Sequence, residues 1–212
     1  MTNNKLIDFL VNNINDLKFL FKFKKIINDE EKEEEFFVPP KIGILILLSY
    51  VETLAVIYQL YLHGKGSSNK KEQFDNCVKA FLCHKKNRRN SKFHKILSHK
   101  TFIAELYSLR CTSVHFSGLN KNNKIIYTTK VKVSYVRHQR MLESRGYLIL
   151  FIEDFKDLII ESYNLFLMQL KTDLESAISN DENAKFQQRF NKIYEKFEDE
   201  GSVAVDDLLE IK

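Results

Sequence analysis

Apolar residues recur at helical spacing along most of the chain. In residues 4–27 (NKLIDFLVNNINDLKFLFKFKKII), Leu6, Phe9, Leu10, Ile14, Leu17 and Phe21 lie three or four apart and predict an amphipathic helix. The acidic run DEEKEEE at 29–35 ends that helix, and Val38-Pro39-Pro40 opens the next element. Residues 41–62 (KIGILILLSYVETLAVIYQLYL) form the most apolar stretch and predict one long helix. A loop follows by composition at 64–71 (GKGSSNKK), then a helix over 72–84 with Phe74, Cys77, Val78, Phe81 and Leu82 on one side. The basic segment 85–100 reads as a loop leading into a short helix. Residues 101–115 (TFIAELYSLRCTSVH) read as a further helix with Ile103, Leu106, Tyr107, Arg110 and Val114 on one face.

The period then changes. FSGLNKNN is a turn, residues 131–136 alternate as a strand does, and RGYLILFI at 145–152 is a candidate partner, so a small β-hairpin is expected here. Residues 153–178 return to helical spacing, with Phe155, Leu158, Ile159, Ser162, Phe166 and Leu170 in a stripe. Asn180-Asp181 breaks that helix, and 182–199 forms a last, charged one before a short tail. The expected architecture is an all-α bundle with an inserted hairpin. It divides into an N-terminal helix and acidic linker (1–38), a central helical domain (39–178) and an acidic C-terminal helix and tail (179–212). Six Gly and two adjacent Pro agree with long helices, and 12% aromatic residues supply a core.

Residues 41–62 approach the length of a membrane span, so that reading has to be weighed. Glu52 stands at the centre, with Ser49, Thr53 and Gln59 nearby. A central acid costs about 2.5–3.5 kcal/mol on insertion scales, which favours a buried core helix and no membrane partner. The polar start MTNNKLIDFL is not a signal peptide, and Cys77, Cys83 and Cys111 have no metal-ligand spacing. Reduced thiols in a cytoplasmic protein are the expectation.

Charge is distributed unevenly. Residues 65–100 carry eleven Lys/Arg against Glu72 and Asp75, and 121–145 carry seven against Glu143. Residues 172–212 carry eleven acids against five Lys/Arg. A basic face for a polyanion follows if these runs share a surface; if not, they coat helices and loops.

The segment with candidate chemistry is Leu106-Tyr-Ser-Leu-Arg110-Cys-Thr-Ser-Val-His115-Phe. Arg110 falls on the apolar face of its helix, where a guanidinium needs a partner or a cleft. His115 follows at the helix end. Together they offer a fixed cation for phosphate oxygens and an imidazole for proton transfer near neutral pH. Taken singly, each has a plainer role: a His at a helix end caps carbonyls, and an Arg pairs with a core acid, for which Glu52 is available. His84, His94, His99 and His138 sit in basic segments without zinc-site spacing, and no phosphate-loop or dinucleotide motif is present.

Arg-x4-His at the end of an apolar helix (FIAELYSLRCTSVHF) resembles the R-x4-6-H signature of the HEPN family. The helix order across residues 39–178 is similar too: an apolar central helix, a basic second helix, the motif helix and a long closing helix. Where that family commonly has a polar residue after the Arg, this chain has Cys111. The resemblance implies a homodimer with two motifs in one composite cleft. It implies a metal-independent endoribonuclease without cofactor or metal, attacking single-stranded RNA through the RNA's own 2′-hydroxyl. The setting would be toxin–antitoxin or antiviral defence, with an antitoxin or regulatory protein as a possible partner. On that reading His115 is the acid/base, Arg110 positions the phosphate, and Glu52 orients Arg110 from the facing helix. Other members of the family are inactive, so a non-catalytic dimerisation or regulatory module is the alternative.

Overall fold

The computed structural model describes residues 4–20, 22–27, 30–35, 40–114, 125–128, 148–177 and 179–209, and these are mostly helical. Helix α1 (Lys5–Phe19) starts where Asn4 caps it, the Asn4 side chain accepting from Ile7 N at 3.2 Å. Its buried stripe is Leu6, Leu10, Ile14 and Leu17. The helix expected over 4–27 stops early. Phe19 is 70% exposed, Leu20 is extended, and residues 22–27 are strand β1 (Lys22–Ile27), antiparallel to β2 (Glu30–Glu35). The reason is legible afterwards: Phe19, Phe21 and Phe23 also fit a two-residue period, and the acidic run supplies a partner strand. The register sets Lys22 opposite Glu35 and Lys24 opposite Glu33.

Helix α2 (Pro40–His63) is the axle of the bundle. Proline suits a first helical position, and Gly64, at φ +66°, suits the left-handed residue that closes the end, its N–H donating to Leu60 O at 2.8 Å. Among the described residues, the stretch Ile42–His63 of α2 is the one helix long and apolar enough to cross a membrane. In this fold Ile44, Leu47, Leu48, Val51, Leu54, Ile57 and Leu60 are buried in the bundle, while Ile42 is half exposed.

Helix α3 (Lys70–Cys77) continues into a π-helical turn, Val78–Leu82, closed by Cys83 N donating to Val78 O at 2.8 Å. Residues 85–97, expected to be a loop and one short helix, form two short helices, α4 (Lys85–Arg89) and α5 (Ser91–Leu97). Helix α6 (Phe102–Val114) follows. Strands β3 (Ile125–Thr128) and β4 (Leu148–Phe151) pair in parallel, Ile125 opposite Leu148. The strand expected within 145–152 is therefore present at 148–151, but its partner is 125–128, and a parallel pair cannot be a two-stranded hairpin. The strand expected at 131–136 lies outside the described residues. Helix α7 (Ile152–Glu175) and helix α8 (Asn180–Leu209) complete the chain, the latter longer than the 182–199 predicted.

Helix α2 packs against α3, α6, α7 and α8, while α1 packs against α7 and α8. One core runs through all of them, from Leu6 and Leu10 through Val51, Phe81 and Phe102 to Phe166 and Phe190. The segments flanking 39–178 thus contribute to the same core. Cys77 and Cys83 are buried free thiols, and Cys111, also free, is half-buried; burial pushes the Cys77 thiol well up, so it is unreactive.

Tyr61 ties three helices together. Its hydroxyl donates to Asp173 Oδ2 on α7 at 2.7 Å and accepts from Gln169 Nε2 at 3.2 Å. Arg189 on α8 donates to Tyr61 O at 2.7 Å and lies over the ring, 5.1 Å from its centroid. Burial, with Asp173 beside it, pushes the phenol up to about 12. The folded state therefore holds this proton more tightly than the unfolded chain does. The resulting stabilisation is whole below pH 10.0, the ordinary tyrosine value, and is lost as pH rises through about 12. Tyr61→Phe should cost about 1 kcal/mol at neutral pH. Thermal unfolding followed by circular dichroism should also show a shallower loss of stability between those two pH values in the variant than in the parent.

Candidate functional site

The buried stripe of α6 is Phe102, Leu106 and Leu109. Ile103, Tyr107 and Arg110 flank it and are half-buried. This rotation matters, because it places Arg110 at the margin of the core, where a guanidinium keeps one side in solvent. Arg110 Nε donates to Glu52 Oε1 on α2, and the two side chains are 24% and 35% exposed. Burial works against the charged guanidinium, but Glu52 beside it more than offsets this, so Arg110 is held above its ordinary value and stays cationic. Nη1 lies 4.0 Å from Cys111 Sγ, a weak contact.

The pair forms part of the wall of a pocket of about 240 Å³ between α2, α3 and α6. Glu52, Ala55 and Val56 come from α2, Lys70, Gln73 and Phe74 from α3, and Arg110 from α6. Helix α3 is pinned against α6 by the rings of Phe74 and Tyr107, 5.6 Å apart, and by Lys71 over the Tyr107 ring. Lys71 in turn donates to Asp75 Oδ2 at 2.6 Å. Gln73 is 5% exposed, and among the described residues its Oε1 has no hydrogen-bond partner. It shares the inward side of α3 with Phe74 and Cys77, and the packing of those two carries it in. The site so assembled has two cations, one carboxylate and one amide around a small half-open space. It can hold an anionic group against Arg110 and Lys70.

Of the three residues singled out from sequence, the structure brings Glu52 and Arg110 into contact. His115, the residue after the end of α6, lies outside the described residues, as does His138. His84 serves its own helix, its Nδ1 accepting from Lys86 N at 3.3 Å at the start of α4. His99 Nδ1 lies 3.0 Å from Thr101 Oγ1. Among the described residues no group of three His, Cys, Asp or Glu could hold a metal ion. Lys70, Gln73 and Phe74 were not anticipated as pocket residues. The available signal was Gln73, a polar residue four before Cys77 on the apolar side of its helix. The chain matches no protein-family model, no curated protein and no solved structure.

The energetic weight of the ion pair is testable. A partly exposed pair joining two helices sits between the surface and buried limits, on the order of 1–2 kcal/mol. Glu52→Gln should lower stability by that amount in urea titrations. Glu175→Gln, an exposed position on α7, should shift it by less than about 0.5 kcal/mol. Equal effects would uncouple Glu52 from Arg110.

Proposed function

We propose that the chain is a metal-independent endoribonuclease of the HEPN type, acting on single-stranded RNA as a homodimer in a cytoplasmic toxin–antitoxin or antiviral defence role. The observation that carries this reading is the posture of Arg110. Glu52 engages Nε, and among the described residues Nη2 has no partner, so the outer edge of the guanidinium is left for a phosphate. The helix that carries Arg110 ends at Val114, which sets His115 next in the chain.

The chemistry is transesterification. His115 takes the 2′-hydroxyl proton as the O2′–P bond forms, and Arg110 balances charge on the phosphate oxygens. The P–O5′ bond breaks, and the departing oxygen takes a proton from an imidazolium, supplied in a composite cleft by the second protomer. The products are a 2′,3′-cyclic phosphate and a 5′-hydroxyl. Every role is filled by a side chain or by the RNA itself.

A second reading has an observation of its own. The Glu52–Arg110 pair joins α2 to α6 and so has a structural use. On that reading the chain is a non-catalytic helical module for dimerisation or regulation.

Cleavage separates these, and the mass in solution tests the composite cleft. Purified protein should cleave single-stranded RNA in EDTA, leaving the cyclic phosphate or its 3′-phosphate product. His115→Ala should lower the rate by about 10²–10⁴, and Arg110→Lys should also impair it, since an ammonium lacks the planar fork. Cleavage only with added Mg²⁺, or a His115→Ala rate equal to the parent's, would overturn the His115 mechanism, and no cleavage at all would leave the module reading in place. Sedimentation at micromolar concentration should give twice the 25.1 kDa chain, and a monomer at every concentration would remove the composite cleft.

A further inference from the structure

A second cleft lined by charged side chains is wider than the Glu52–Arg110 pocket. It lies at α4 and α5 as a shallow depression of about 680 Å³ open to solvent, and is lined by Lys85, Arg88, Arg89, His94 and Ser98. All five are exposed. No carboxylate of the described residues lies within 4.0 Å of Lys85, Arg88, Arg89 or His94. The neighbouring Lys86, by contrast, reaches Glu161 on α7 at 3.3 Å. Among the described residues the cationic groups of the cleft thus face no carboxylate, Arg88 reaching only the Cys83 thiol, while the one beside them is paired.

The cleft is also anchored. Asn87 is 2% exposed, and its Nδ2 donates to Phe81 O at 2.9 Å and Leu82 O at 3.3 Å, carbonyls in the π-helical turn. Phe93 and Leu97 bury α5 in the core, against α7 and β4. The backbone that presents Lys85, Arg88, Arg89 and His94 is therefore held from below by buried contacts. Like charges gathered on a fixed concave wall repel one another, and a ligand with several negative charges relieves that repulsion. The polar side chains on the wall can all donate hydrogen bonds: two guanidinium forks, an ammonium, an imidazole and a hydroxyl. That set matches phosphate oxygens, the forks by paired contacts and the ammonium as a point charge.

We propose that the α4–α5 cleft is a binding site for linked phosphate groups, formed by elements other than those of the Glu52–Arg110 pocket. The phosphates come either from a single-stranded nucleic-acid backbone or from a compact polyphosphate. The site does not depend on RNA cleavage by this chain, and it holds for either reading of Arg110.

The test uses the full chain and two probes. One is a fluorescein-labelled oligodeoxyuridylate, which lacks the 2′-hydroxyl and so reports binding with cleavage impossible. The other is sodium tripolyphosphate, read by its effect on the melting temperature. Lys85→Ala with Arg89→Ala should weaken oligonucleotide binding about ten-fold at low salt. It should also reduce the salt slope by about 1.4, from about 0.7 for each lost single-strand phosphate contact. Lys18→Ala with Lys171→Ala, exposed lysines on α1 and α7, removes the same charge elsewhere and should change binding less than about two-fold. If the cleft variant melts lower than the parent without ligand, Arg89→Gln, which keeps side-chain bulk, is read in its place. Loss of oligonucleotide binding identifies a nucleic-acid backbone. Loss of tripolyphosphate stabilisation alone identifies a compact polyphosphate. Binding of both probes at the parental level by the cleft variant, or an equal loss in the charge-matched control, overturns the proposal.

Discussion

A carboxylate in the middle of the most apolar helix of a small protein has to be matched. In this chain that requirement organises the site. Helix α2 supplies apolar side chains to much of the bundle, so the helices around it are placed by where it buries its surface. Glu52 interrupts that surface. Placed fully inside, it would lose its hydration with nothing in return, and placed fully outside, it would turn the apolar flank of α2 toward water. The structure takes a middle course, with Glu52 and Arg110 meeting at the margin where α2, α3 and α6 converge. The ion pair thus sets how closely α6 approaches α2, and the space left beside it is the pocket.

Two stretches of α2 are held differently. The far end is locked by hydrogen bonds through Tyr61 to α7 and α8, with Tyr163 tied to the middle of α2 through Tyr50 O at 2.8 Å. At Glu52, near the middle of the helix, the polar contact to α6 is one charge pair. Half-exposed polar contacts give way more readily than a buried aromatic cluster such as Tyr58, Phe81 and Phe166. The candidate site therefore rests on the more yielding of these two kinds of contact, and the Tyr61 end of α2 lies away from it.

Helices with one dominant period were legible from the chain alone. α2 lies within two residues of its expected bounds and α7 within three, because their apolar stripes leave no competing reading. The pairing of Glu52 with Arg110 was legible for a related reason: two charges on apolar faces each need a partner, and each was the other's natural choice. Failures cluster where two periods coincide or where pairing is remote. FLFKFKKII suits a helix or a strand, and only the register with EEKEEE decides it. The parallel pairing of 125–128 with 148–151 joins residues far apart in sequence, which local alternation cannot report. The basic segment at 85–100 was legible as charge, but its cleft depends on the burial of Asn87, Phe93 and Leu97. Lys70 and Gln73 enter the pocket through the packing of α3 against α6, a tertiary fact with no periodic trace.

The π-helical turn at Val78–Leu82 has a further consequence. A π-turn holds one residue more than an α-turn, so it acts as a phase insertion in the chain. Each helical residue advances the side-chain direction by about 100°. Deleting a single residue between Val78 and Leu82 would let α3 run on as an ordinary helix. Because one α-turn would then replace one π-turn, the chain beyond it would keep its direction. The extra residue is thus taken up inside the turn, and the carbonyls of Phe81 and Leu82 at its end are the ones Asn87 binds, so the footing of Lys85 and Arg89 rests on how that one turn closes.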